Sequence, residues 1–253
     1  MQPEDLNQAD VPVSETEEPA INPIVEPASE PVDQPFWGYS DLAILTSWCF
    51  LVMLAASFGV FFYMRLVLII QIVAYLAMYL GFRVVFKMTY ARDVFNSLGW
   101  HKTKVNLLSA GLGGVLLAFG LNLVASLIHT PKVKTPFDNL GDTPASLALL
   151  AVIAVLLAPL AEEMFFRGFW QPLLSKSLGA AGGICLTAFL FGLLHGSEYQ
   201  WAWQYVAAIT TVGLVLGVVR ARTHSIIPGV VMHGCFNSLA IIGFVAQKYI
   251  NHK

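Results

Sequence analysis

ASLALLAVIAVLLAPLAEEMFFRGFWQPLL, residues 145–174, contains only three ionisable side chains, Glu162, Glu163 and Arg167. It is longer than the roughly 20 residues a helix needs to cross a hydrocarbon core. Charges inside such a run are costly, so they are expected to be paired and to mark a functional site. Pro159 and Gly168 interrupt the run, which reads as one tilted helix or as a helix followed by a short interfacial one.

The same texture extends on both sides. Leu42–Met64, Leu66–Phe82, Val105–Ile128, Gly183–Trp203, Tyr205–Val219 and Ile226–Ala246 are apolar blocks of near-spanning length. Arg65 alone separates the first two, which must turn tightly there or share one longer tilted helix. The chain of 253 residues is 57% hydrophobic and 12% charged, with mean hydropathy +0.67. A soluble domain carries about 25% charged residues, so a soluble globular protein is excluded. The expected fold is an all-α, polytopic transmembrane helix bundle of seven or eight spans, each satisfying its backbone hydrogen bonds internally. Cys49, Cys185 and Cys235 sit in apolar runs without CxxC spacing, which indicates neither a disulfide framework nor a zinc knuckle.

Residues 1–35 hold nine of the 16 acids, seven of the 13 prolines and no Lys or Arg. That composition cannot offset chain entropy by burial, so residues 1–40 are read as a disordered acidic tail, a solvated spacer or a docking arm. N-terminal transmembrane helices follow over 41–144, a second transmembrane core carrying Glu162, Glu163 and Arg167 over 145–247, and a short C-terminal tail over 248–253. With seven spans, Arg83, Lys87, Arg92, Lys102, Lys104, Arg167, Lys176, Arg220 and Arg222 fall on one side. The positive-inside bias then predicts a cytoplasmic N-terminus in the cell (inner) membrane, with the Arg65 turn and His129–Thr143 outside.

Glu163 and Arg167 are four residues apart with the acid N-terminal, the better order for a helical ion pair. Glu162 points about 100° away, has no cation at i+3 or i+4, and must find a polar group across the bundle. His195 follows Phe191 by one turn on a later helix, and His233 and Asn237 share a face of the last. Alone, each histidine could simply bond a neighbouring helix. Three helices delivering a carboxylate, imidazoles and hydrogen-bond donors at similar depth suit hydrolysis. HExxH, GxGD and GxSG are absent, so the zincin, presenilin-like and rhomboid-like signatures are missing. Ser197 lies two residues from His195 and is not placed to act as its nucleophile.

Ala158–Gly168 with its EExxxR, Phe191–His195, and His224–Asn237 ending in HxxxN together resemble the three motifs of the CPBP family. These are intramembrane proteases related to the CAAX prenyl endopeptidase and to bacteriocin-protection proteins. The resemblance spans roughly residues 145–245 and leaves the first two spans and the tail outside. It implies that Glu162 with His195 activates water, that His233 and Asn237 donate to the oxyanion, and that Glu163 and Arg167 hold the helix while Phe191 packs the wall. No cofactor is expected. The alternatives are a zinc site on Glu162, His195 and His233, or a non-proteolytic scaffold or transporter, against which no inverted repeat or second acidic site is seen. The expected partners are the lipid bilayer and a membrane-associated peptide or protein substrate, with no nucleic acid.

Overall fold

The computed structural model describes residues 35–135, 140 and 143–251. Among them the chain is helical without a strand. The longer helices are α1 Tyr39–Phe62, α2 Val67–Tyr90, α4 Leu107–Leu127, α7 Gln171–Leu194, α8 Trp203–Thr223 and α9 Ile227–Asn251, with short α3 Val94–Ser97, α5 Pro144–Val152 and α6 Ala158–Glu162 between them. Two π-helical segments, Ile153–Leu157 and Glu163–Trp170, link α5, α6 and α7. The outer faces are apolar: Phe50 is 66% exposed, Phe61 79% and Leu108 80%. In water such a surface would aggregate, whereas in lipid it is the expected exterior. The protein is a multi-pass integral membrane protein.

Six stretches among the described residues are long and apolar enough to cross a bilayer, one of them the 51-residue Pro144–Leu194. At 1.5 Å per residue a straight helix of that length would extend about 77 Å, more than twice a core of roughly 30 Å. It is not straight. Gly179 takes φ +74°, and a Cβ on Gly183 would lie 2.7 Å from Ser175 Cα, although residues eight apart on one helix are separated by about 12 Å. The chain doubles back at Gly179, so this stretch has two legs and the total agrees with the lower expected count. The expected single block 145–174 thus continues to the Gly179 turn, and the expected block Gly183–Trp203 ends at Leu194, before a loop. The first pair takes the tight-turn alternative. Tyr63 leaves helical geometry, Met64–Leu66 forms a 3₁₀ turn, and α1 and α2 pack through a Trp48 Nε1 to Ala77 O bond of 3.0 Å.

The N-terminal boundary moves too. Residues 1–34, where the disordered tail was expected, lie outside the described residues, as does part of the 129–143 segment. Residues 36–40, assigned to that tail, are part of the fold. Trp37 is buried, stacks on Phe169 at 5.6 Å and donates to Phe169 O at 3.2 Å. Gly38 N–H is capped by Asp41 at 2.9 Å, whose other contact is Tyr90 Oη at 2.7 Å. At the other end α9 runs to Asn251, into the stretch read as a C-terminal tail.

Trp37, Phe82, Phe86, Phe165 and Phe169 form an aromatic core that ties α1 and α2 to the second π segment. Phe82 meets Phe169 edge-on at 5.0 Å. The first two helices therefore act as a buttress for the helix carrying Glu162 and Glu163. Trp37→Ala should cost about 3–5 kcal/mol, the usual range for emptying a buried aromatic site. It should appear as a clear drop in Tm in detergent, whereas lipid-facing Phe50→Ala should leave Tm nearly unchanged; equal Tm values for both variants would contradict this role of Trp37.

Candidate active site

Pro159 determines the local shape of the site. It has no N–H, so Val155 O loses its α-helical donor and Ala154 O loses a π-helical one. Both carbonyls face α9. Asn237 Nδ2 donates to Ala154 O at 2.8 Å. A Cβ on Gly234 would lie 2.6 Å from Val155 O, so only glycine lets α9 approach there. The bulge and its repair bring α9 against the segment that carries both glutamates.

α9 is also pressed from behind. On α4, a Cβ on Gly111 would lie 3.0 Å from Cys235 Sγ, and one on Gly114 would lie 2.9 Å from the Met232 carbonyl carbon. Small residues permit such close helix approach in membranes. Met232 precedes His233, so α4, outside the family resemblance, helps fix the histidine's depth.

Glu163 and Arg167 pair as expected, with Oε1 to Nη1 at 3.0 Å and side-chain exposures of 1% and 0%. Arg167 Nη2 also donates to Gly213 O at 3.2 Å, and one turn further Gln171 Nε2 donates to Gly217 O at 2.9 Å. Glu163, Arg167 and Gln171 thus form a polar column docked on the two glycine carbonyls of α8. A Cβ on Gly229 would lie 2.8 Å from Glu163 Oε2, so this glycine leaves room for the carboxylate.

His233 stands between the two acids. Its Nδ1 lies 3.2 Å from Glu163 Oε1 and its Nε2 lies 3.8 Å from Glu162 Oε2. A carboxylate only accepts, so Nδ1 carries a proton. The second distance is too long for a direct hydrogen bond. The polar group that Glu162 required across the bundle is His233.

His195 closes α7, with Nδ1 2.8 Å from Phe191 O. A carbonyl also only accepts, so in the neutral ring Nε2 holds the lone pair. Phe191 links the two imidazoles, its ring 4.7 Å from that of His195 and 5.9 Å from that of His233. Arg167 Cζ sits 4.4 Å over the same ring. Glu162, Glu163, His233, Arg167 and Phe191 are thus in one contiguous cluster, with His195 against Phe191. Asn237 lies one turn beyond His233, with one amide N–H committed to Ala154 O.

Sequence reasoning missed several contributors. Tyr75 on α2, one turn from Gln71, is within electrostatic reach of Glu162 and Glu198. Glu198, in the loop after α7, interacts with His195, Tyr199 and Glu162; burial pushes its carboxyl above the usual range while His195 pulls it back. The polar pair Gln71 and Tyr75, one turn apart in an apolar helix, was a readable signal. So was Glu198, the last acid of the chain. Among the described residues no group of three His, Cys, Asp or Glu side chains is disposed to hold a metal ion.

Residues 144–239 match the family model described as type II CAAX prenyl endopeptidase Rce1-like. Comparison with curated proteins and with solved structures returns no match.

The buried pair makes a stability prediction. Glu163→Gln leaves Arg167 uncompensated and should cost about 3–5 kcal/mol. The double variant Glu163→Met/Arg167→Met removes both charges and should recover much of that loss. A Tm for Glu163→Gln equal to that of the parent would show that the pair does not hold the bundle.

Proposed function

We propose, from the premise that residues 144–239 belong to the Rce1-like family of CAAX-type membrane proteases, that this protein is an intramembrane endopeptidase in which Glu162 and His195 activate water and His233 and Asn237 stabilise the oxyanion. The observation that carries the reading is the position of His233, 3.2 Å from the paired Glu163 and 3.8 Å from Glu162. It puts a proton donor and a second carboxylate around one small volume, at a depth where both are desolvated.

In the proposed reaction Glu162 takes a proton from water as the water oxygen forms a bond to the substrate carbonyl carbon. The carbonyl oxygen becomes an oxyanion, met by Nε2–H of His233 in its imidazolium form and by the remaining N–H of Asn237. Preorganised donors of this kind act strongly away from bulk water. As the C–N bond breaks, its electron pair passes to nitrogen, which takes the proton relayed through His195. The products are a carboxylic acid and an amine, and the enzyme is returned unchanged.

The proposed chemistry is metal-free. The hydrogen bonds at Nδ1 of both histidines fix the ring orientations and leave Nε2 of each for the proton transfers of this reading. We place the N-terminus in the cytoplasm of the cell membrane on the Lys and Arg distribution, and the substrate class as membrane-associated peptides. A quenched fluorescent peptide ending in a CAAX box, presented with and without a prenyl group, tests both substrate forms.

Glu162→Gln should retain expression and lose activity by about 10²–10⁴-fold, the usual contribution of a general base; undiminished cleavage would overturn the assignment. Asn237→Ala should lower kcat by about 10²-fold and also lower Tm, because Ala154 O loses its donor. Exhaustive chelation, with residual metal shown to be substoichiometric, should leave the rate unchanged. Activity that is lost on chelation and restored by returning zinc would replace this mechanism with the zinc alternative.

A further inference from the structure

The loop that joins α7 to α8, residues 196–202, is subject to two opposite demands. Ser197 and Gln200 are exposed polar residues on an irregular backbone, and such a backbone is not tolerated against lipid hydrocarbon. Yet Trp201 is 61% exposed and Trp203, the first residue of α8, is 66% exposed. These are the two most exposed of the six tryptophans. Leu194, at the end of α7, is 67% exposed and carries the lipid-facing exterior up to the loop. Water suits the first set and hydrocarbon the second. The headgroup–acyl boundary suits both, and it is where Trp and Tyr, apolar rings with a polar tip, concentrate.

The loop is held in one shape. Trp201 N–H returns to Gly196 O at 2.7 Å, Gln200 Nε2 donates to Lys134 O at 3.0 Å, and Tyr205 Oη donates to Pro131 O at 3.0 Å. Tyr199 stacks on Tyr205 at 4.6 Å with the rings 13° apart. Gln200 and Trp201 both take positive φ, 53° and 59°, a conformation that non-glycine residues keep only when their surroundings enforce it. Lys132 and Lys134 are exposed on the segment to which the loop is bonded. They bring ammonium groups to the same end of the bundle, where lysines anchor at the interface.

Contacts along α8 give the depth of the site below this loop. Arg167 bonds Gly213 O and Gln171 bonds Gly217 O, so their segment runs parallel to α8, and Glu163, one turn before Arg167, is level with Ile209. From Trp203 to Ile209 the helix rises about 9 Å. The whole of α8, Trp203–Thr223, is about 30 Å long, the thickness of a hydrocarbon core. With Trp203 at one boundary, Arg220 and Arg222 therefore reach the other, where cations are favoured. On the loop side, His195 ends α7 directly before residue 196, and Glu162 is the more open of the two glutamates, with its side chain 23% exposed against 1% for Glu163. We propose that Trp201 and Trp203 form an interfacial anchor: the loop docks in the glycerol and carbonyl region of the bilayer and holds the site about 9 Å beneath it. At that level water reaches Glu162 while a membrane-associated peptide can still enter from the lipid. The docking rests on the fold alone; its effect on turnover rests on the reading under Proposed function.

The test uses full-length protein in phosphatidylcholine vesicles containing lipid brominated either near the glycerol end of the acyl chain or near its methyl end. Subtracting the emission of Trp201→Ala or Trp203→Ala from that of the parent isolates each ring. Both rings should be quenched most by bromine near the glycerol. Strongest quenching by bromine at the chain ends, or none by either lipid, would overturn the anchor. Activity gives a second readout, with the CAAX peptide as substrate. In vesicles of long-chain lipid the double variant Trp201→Ala/Trp203→Ala should lose kcat about 3–10-fold, the scale of a mismatch of a few Å. In detergent its kcat and Tm should stay near the parent's, and lipid-facing Phe50→Ala should change neither medium. Equal losses in detergent and vesicles would mean that the tryptophans only pack the loop, and an unchanged kcat in thick bilayers would mean that they set no depth; either result overturns the inference. If the double variant does not fold, Trp203→Ala alone carries the same comparison. If the parent cleaves no peptide in either medium, the proposed function fails, and the quenching alone decides whether the loop docks at the boundary.

Discussion

The bond between Glu163 and Arg167 is the constraint on which the rest of this structure depends. Both side chains are almost wholly excluded from solvent, and a charge buried in a bilayer must be matched or moved to the interface. Each partner is then used again. Arg167 takes the carbonyl of Gly213 on α8, and Glu163 takes Nδ1 of His233 on α9. One ion pair therefore fixes three helices against each other at a single depth. Pairs of this type seldom add net stability over an apolar replacement. Their effect is on arrangement, since a shift of any of the three helices would strand a charge.

That arrangement is possible because glycines stand where the charged groups pass. Gly229 leaves the space that Glu163 Oε2 occupies, and a Cβ on Gly213 would lie 3.0 Å from Ala188 Cα. Pro159 contributes by removal. A regular helix would satisfy every carbonyl within itself and offer α9 nothing polar. By withdrawing donors from Ala154 and Val155, the proline creates acceptors that Asn237 and the glycine face of α9 meet. The irregular helix is thus stable only with α9 in place, which couples the geometry of the site to the assembly of the bundle.

Much of this was legible in the sequence for a physical reason. Apolar runs set the spans through the thickness of the membrane, and the i, i+4 spacing of Glu163 and Arg167 set their pairing. The family-model match over residues 144–239 spans the motifs at Glu162, His195 and His233. What could not be read were contacts made across the bundle. Nothing local to Glu162 points to His233, and nothing local to Trp37 points to Phe169. The turn at Gly179 was hidden because a glycine in an apolar run reads equally as helix packing. The part of α4 was hidden because Gly111 and Gly114 act only through the backbone of Met232. Long-range packing of this kind leaves a composition signal, small residues in a row, without saying which helix they meet.

The two histidines illustrate how neighbours rather than residue type assign a role. Each has Nδ1 occupied, so each can meet a substrate only through Nε2. The acceptors differ. His195 bonds the neutral carbonyl of Phe191, which requires one proton on the ring and leaves Nε2 as an acceptor. His233 bonds Glu163 at Nδ1 and has Glu162 3.8 Å from Nε2, beyond direct hydrogen-bond reach, and in the proposed reaction it is Nε2 that donates into the space between them. A ring that accepts suits the transfer of a proton from water, and a ring that donates suits the oxyanion. The division of labour in the proposed reaction thus follows from two hydrogen bonds made on the far side of each ring, one supplied by a helix end and the other by the ion pair that holds the bundle together.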